Sequence, residues 1–128
     1  MTLNIDLLKR TLEHIEATPE EWYQGAYRCG TGMCFAGWAC TFAGGVWAGG
    51  PDEWDGEDLI ADEGDGDDAS FLYEDMNGND VYGVSAGRRA RRLLGLTPEQ
   101  ATDLFDGHNT LDDLRRIVAE LCVEAGER

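Results

Sequence analysis

Three of the chain's four cysteines fall in one short stretch, Arg28-Cys29-Gly30-Thr31-Gly32-Met33-Cys34-Phe35-Ala36-Gly37-Trp38-Ala39-Cys40. Thiols grouped so closely invite metal, iron–sulfur or nucleophilic chemistry, and geometry narrows each. On one intact helix Cys34 and Cys40 project about 120° apart and about 9 Å along the axis, which is poor placement for a shared ion. Cys29 and Cys34 make the better pair, yet Cys-x4-Cys lacks the two-residue spacing of a zinc knuckle. The metal candidates therefore reduce to Cys29 and Cys34, and the expectation is a chain with no metal and no cofactor whose cysteines are buried thiols. A thiol at Cys29, just ahead of a helix N-terminus, has its thiolate favoured by the free backbone N–H groups. A nucleophile also needs a base, and the two histidines, His14 and His108, are not placed beside it by the sequence. Cys29-Gly30-Thr31 accordingly reads as a turn, and no catalytic residue is assigned.

Carboxylates are the second group able to do chemistry. From Asp52 to Asp80 the chain carries thirteen Asp or Glu and no Lys, Arg or His, half of the 26 acids behind its net charge of −16. Glu63, Asp65, Asp67 and Glu74 fall at the first, third, fifth and twelfth positions of an EF-hand loop, but Asp68 stands where the turn glycine belongs. A second start at Asp75, Asn77 and Asn79 places Ala86 where the bidentate glutamate is needed. A solvated acidic loop at about 52–80, flexible over Gly64 to Asp68, is the expectation, with Phe71, Leu72 and Tyr73 anchoring it to the core. A field of this sign repels phosphates and attracts basic protein surfaces, so no direct nucleic-acid binding is expected. Arg91-Arg92-Leu93-Leu94-Gly95-Leu96-Thr97-Pro98 has a helix-turn-helix rhythm, but Arg91 occupies the small-residue position and the helix after it is acidic. The arginines read instead as a solvent face partly neutralised by the acidic loop.

The elements that must position these groups are mostly helical. Leu8, Leu12 and Ile15 recur at helical spacing over Ile5 to Ala17. Thr18-Pro19-Glu20-Glu21 has the form of a capping box with proline at the first helical position, predicting a short helix through Trp22. Thr31 can cap a helix over Gly32 to Ala43, apolar nearly all round, with large Met33, Phe35, Trp38 and Phe42 among small residues. This is the expected buried centre, wrapped by the first and last helices. Asn77-Gly78 predicts a hairpin turn, followed by a short strand over Val81 to Val84. Ser85 starts an arginine-rich helix that Gly95 stops, Thr97-Pro98 starts another, and Thr110 starts a last one carrying Leu111, Leu114, Ile117, Val118, Leu121 and Cys122. The 128 residues suffice for one core, so the fold expected is mainly α, a single helical domain over residues 1–128 with a short β-hairpin-like element. No basic start with an apolar run opens the chain and no stretch reaches bilayer length, so a soluble, cytoplasmic protein without membrane contact is expected.

Cys29-Gly30-Thr31-x-x-Cys34-x-Ala36-Gly37-Trp38-Ala39, with Ala90-Arg91-Arg92-Leu93-Leu94-Gly95-Leu96 and Leu104-Phe105-Asp106-Gly107-x-Asn109-Thr110-Leu111, resembles small proteins of actinobacteria and of their phages, notably mycobacteriophages. That group carries no established activity. The resemblance implies a cytoplasmic accessory protein, in the host cytoplasm if phage-encoded, and no catalytic residue. Gly45-Val46-Trp47-Ala48-Gly49 also looks like the turn after the cluster cysteines of WhiB-like regulators. The chain departs from them in having Cys122 far from the other cysteines, no Cys-x2-Cys pair and no basic tail. The function expected is that of a non-enzymatic acidic protein that binds a host protein through the aromatics Trp47, Trp54 and Tyr73 and the acids Asp65, Asp67 and Asp68. The alternatives are a DNA-mimicking anti-defence protein, which requires rigidly spaced acids, and a metal or iron–sulfur redox protein.

Overall fold

The computed structural model describes residues 3–22, 34–46, 58–74 and 76–125, without the side chains of residues 58 and 67. The first helix, α1 (Ile5–Ala17), starts on Asn4, whose side chain accepts the Leu7 N–H. It buries Leu7, Leu8, Thr11 and Ile15. Leu12 is only half-buried; the inward position beside it belongs to Thr11, whose hydroxyl donates to the Leu7 carbonyl at 2.7 Å and so enters the core satisfied.

The helix expected after Thr18 is a single 3-10 turn, Pro19–Glu21, and Thr18 makes no side-chain cap to it. The reason is local. Thr18 closes α1, its N–H and its hydroxyl both donating back to the His14 carbonyl, so the oxygen faces the preceding helix.

The next helix, α2 (Phe35–Phe42), begins three residues later than expected, with Cys34 at its N-cap in extended conformation; Thr31 lies outside the described residues. Phe35, Ala36, Gly37, Ala39 and Cys40 are buried, which makes α2 the apolar centre that its composition predicts. Trp38 and Phe42 lie half-buried toward α1, where their two rings stack at 5.8 Å and the His14 ring packs beside both, at centroid distances of 4.2 and 5.1 Å.

Three strands follow, β1 (Asp58–Ile60), β2 (Ser70–Glu74) and β3 (Asp80–Ser85), in an antiparallel sheet of order β1-β3-β2. The Asn77-Gly78 turn joins β2 to β3, and Gly78 takes φ +82°, the left-handed region such turns require. The acidic segment is thus not a loop from residue 58 onward. Two strands and a 3-10 turn, Glu63–Asp68, order it. Leu59 and Val84, paired across β1 and β3, are both buried, and Leu59 closes on Gly45 just beyond α2.

Helices α3 (Ala86–Leu94), α4 (Pro98–Leu104) and α5 (Leu111–Glu124) complete the described fold. Ser85 caps α3, whose end at Gly95 is left-handed, φ +73°. Thr97 with Gln100, and Thr110 with Asp113, form reciprocal capping boxes. Among the described residues the close neighbours of α2 are α3 and α1, whereas α5 lies chiefly on α1 and α4, so the last helix is not the principal partner of the central one that was expected. Ala86 and Ala90 explain the substitution, because their small buried side chains let α3 approach until the Cys40 thiol donates to the Ala86 carbonyl at 3.4 Å. The described residues therefore combine five α-helices with a small sheet, a larger β element than a hairpin alone.

Candidate interaction surface

The acids of the 3-10 turn meet the arginines of α3. Asp62 caps the turn and Asp65 accepts the Asp62 N–H at 2.8 Å, completing a capping box built from two aspartates. This presents Asp65 to α3, where Arg89 Nε donates to Oδ1 at 2.8 Å and Arg89 Nη2 donates to Oδ2. The same Nη2 reaches the Ile60 carbonyl at 3.0 Å, so one guanidinium joins α3 to the turn and to β1. Arg92 donates to Asp62 and Asp65 at 3.2 Å each, and Arg88 to Asp68 at 3.3 Å. Gly64 lies under the Arg92 guanidinium, where a Cβ would stand 2.5 Å from Nη1.

Both members of the central pair are buried, Asp65 and Arg89 each at 5% exposure. Burial alone would raise the Asp65 carboxyl, but the hydrogen bonds from Arg89, the Asp62 N–H and Arg92 outweigh it and hold the group at about 2. Hydrogen bonding to Asp65 raises Arg89 in turn, against the opposing effect of burial. Asp65 is therefore not an exposed contact residue, as its place in an acid-rich segment suggested. It is an internal counter-ion. Asp68 does reach the surface, engaged with Arg88. The Asp67 side chain, Trp47 and Trp54 lie outside the described residues. The arginine face read from α3 is answered by the acids as expected, except that Arg89 is inside.

The hairpin of β2 and β3 behaves differently. Phe71, Tyr73 and Tyr82 are 56%, 45% and 47% exposed, and Met76 stands fully exposed in the turn. Phe71 and Tyr82 are cross-strand partners whose rings meet edge-to-face at 6.0 Å. Of the three residues expected to anchor this segment, Phe71 and Tyr73 are exposed, and Leu72 is half-buried over the bare Cα of Gly83 rather than in the core. The register slips between Phe71 and Tyr73, which leaves Leu72 as the extra residue of a bulge. Tyr73 is the one described aromatic among the expected contact residues. Phe71 and Tyr82 were missed, although the alternation Tyr82, Gly83, Val84 next to a turn is a readable sign of a strand with a bare site on one face.

Cys34, Cys40 and Cys122 are buried thiols, and Cys29 lies outside the described residues. Burial pushes the Cys40 thiol up to about 12, against the lowering effect of Arg89. Among the described residues no three His, Cys, Asp or Glu side chains are grouped to hold a metal ion. Nor is any described helix long and apolar enough to cross a membrane. A cleft of about 380 Å³ between α4 and α5 is lined by Asp103, Asp106, Glu120 and Glu124, and Arg116, the one arginine lining it among the described residues, pairs with Glu120. Comparison with protein-family models, with curated proteins and with solved structures finds no match to this chain.

Proposed function

We propose that this chain is a non-enzymatic, acidic accessory protein of an actinobacterial cell or of one of its phages, and that it works in the cytoplasm by binding a host protein. The observation that carries the reading is the exposed aromatic hairpin, Phe71, Tyr73 and Tyr82, in a segment with acids and no cations. Exposed aromatics of this size supply contact area at small entropic cost, and the surrounding charge selects a basic partner and speeds its approach. Tyr73 belongs to this surface, Asp68 is engaged with Arg88 on α3 instead, and Asp67, Trp47 and Trp54 are proposed to extend it.

DNA mimicry weighs less. It needs rigid carboxylates offered outward as phosphate substitutes, and the rigid ones here, Asp62, Asp65 and Asp68, face arginines. A redox role weighs less again, because the described cysteines, Cys34, Cys40 and Cys122, are all buried. Affinity capture from actinobacterial lysate tests the proposal. One basic protein is expected at low salt, recovered less well at moderate salt. Recovery of no protein under either condition would remove the reading, and release of the captured protein by competing DNA would restore mimicry.

A further inference from the structure

We infer that the outer edge of β2 binds an extended, arginine-rich polypeptide segment by strand pairing, with Phe71, Tyr73 and Tyr82 receiving its side chains; this deepens the protein-binding reading and rests on it. β2 is an end strand of the sheet, paired on one side with β3 and on the other with nothing among the described residues. An open edge offers backbone donors and acceptors to a further strand, and pockets beside it give specificity.

The chemistry of the occupant follows from what surrounds the edge. Glu74 and Asp80 are exposed and directly opposed across the hairpin, a like-charge pair that weakens it. Cations on a bound strand relieve that repulsion. Ring faces beside the acids also favour guanidinium groups, which stack on aromatics while donating to carboxylates. The sequence from Asp52 to Gly87 holds no Lys, Arg or His to supply the cation internally. A second copy of this chain is the wrong occupant. It would bring Glu74 and Asp80 against their own kind, on molecules that each carry −16. The acids that protect the edge from self-pairing are thus the ones that admit a basic strand.

The test uses the full chain, isotopically labelled, and two dye-labelled ten-residue peptides. One alternates arginine with valine; the other has equal charge but two valines replaced by proline, so that it cannot pair as a strand. The alternating peptide is expected to bind at least tenfold more tightly, with amide shifts concentrated on Ser70 to Glu74. The double variant Phe71→Ala/Tyr82→Ala, its helical amides unchanged, is expected to weaken binding at least tenfold. Equal affinity for the two peptides, shifts centred elsewhere, or edge shifts that grow with protein concentration alone would each overturn the inference, the last by making a second copy the occupant. If lysate capture succeeds equally with the double variant, the edge assignment falls and the protein-binding reading stands. If capture recovers nothing, that reading falls by itself.

Discussion

The 3-10 turn Glu63–Asp68 and the β2–β3 hairpin are neighbours in one acidic segment, drawn from the same composition, and they use their charge in opposite ways. In the turn, Asp62, Asp65 and Asp68 meet Arg92, Arg89 and Arg88, and the acids hold the sheet side of the molecule to α3. In the hairpin, Glu74 and Asp80 oppose each other, and the large side chains beside them face solvent. A net charge of −16 treats these carboxylates alike. Their partners divide them into acids that fix the fold and acids left for contact.

The sharpest way to break this division is at Asp65. Asp65→Ala leaves Arg89 buried without its counter-ion and is expected to lower stability by about 3 kcal/mol or more in urea unfolding. The double variant Asp65→Leu/Arg89→Met should recover most of that loss, because an apolar pair of similar volume avoids burying a charge. A smaller loss, about 2 kcal/mol, is expected for Gly45→Ala, whose Cβ would run into Leu59 and stand 2.9 Å from the Cys40 carbonyl oxygen. That substitution tests the helix-to-sheet contact while leaving every charge in place.

Acid titration separates the two sets of carboxylates in the unaltered chain. Asp65 is held at about 2, below its ordinary 3.8, so its contribution is present above pH 3.8 and is lost as pH falls from there toward 2. The loss is about 2 kcal/mol, read as the difference in unfolding free energy between the parent chain and Asp65→Asn across that window. An equal pH dependence in the two proteins would mean that the turn is not latched. The smallest effect is expected at the hairpin, where Phe71→Ala/Tyr82→Ala should change stability by under about 1 kcal/mol. A larger loss would make these aromatics structural rather than contact residues.

What the sequence made legible was local. The capping box at Thr97, the helix start at Thr110, the stop at Gly95 and the inward stripe of α5 each depend on residues within a turn or two. Thr18 shows the limit of such patterns. Thr18-Pro19-Glu20-Glu21 and Thr97-Pro98-Glu99-Gln100 look alike, but only the second threonine is free to cap, since the first is closing the helix before it. The strand β1 and the place of Asp65 depend on partners more than twenty residues away, on β3 and α3. No spacing within the acidic run distinguishes the buried aspartate from its exposed neighbours. The candidate surface was half readable for the same reason. Its charge and Tyr73 were evident from composition, while Phe71 and Tyr82 required knowing that β2 and β3 set them opposite each other.

Asn4 has a consequence for how freely the acidic region can change in length. Its N–H donates to the Leu94 carbonyl at 2.8 Å and its side-chain amide to the Leu93 carbonyl, 89 residues along the chain, so the whole span between is a closed loop. The entropy of closing so long a loop grows only with the logarithm of its length, about 0.6 kcal/mol for each doubling. Residues added between α2 and α3 therefore change the closure term by a few tenths of a kcal/mol. On closure entropy alone, the connections within the contact region can lengthen at little cost to the helices that carry it.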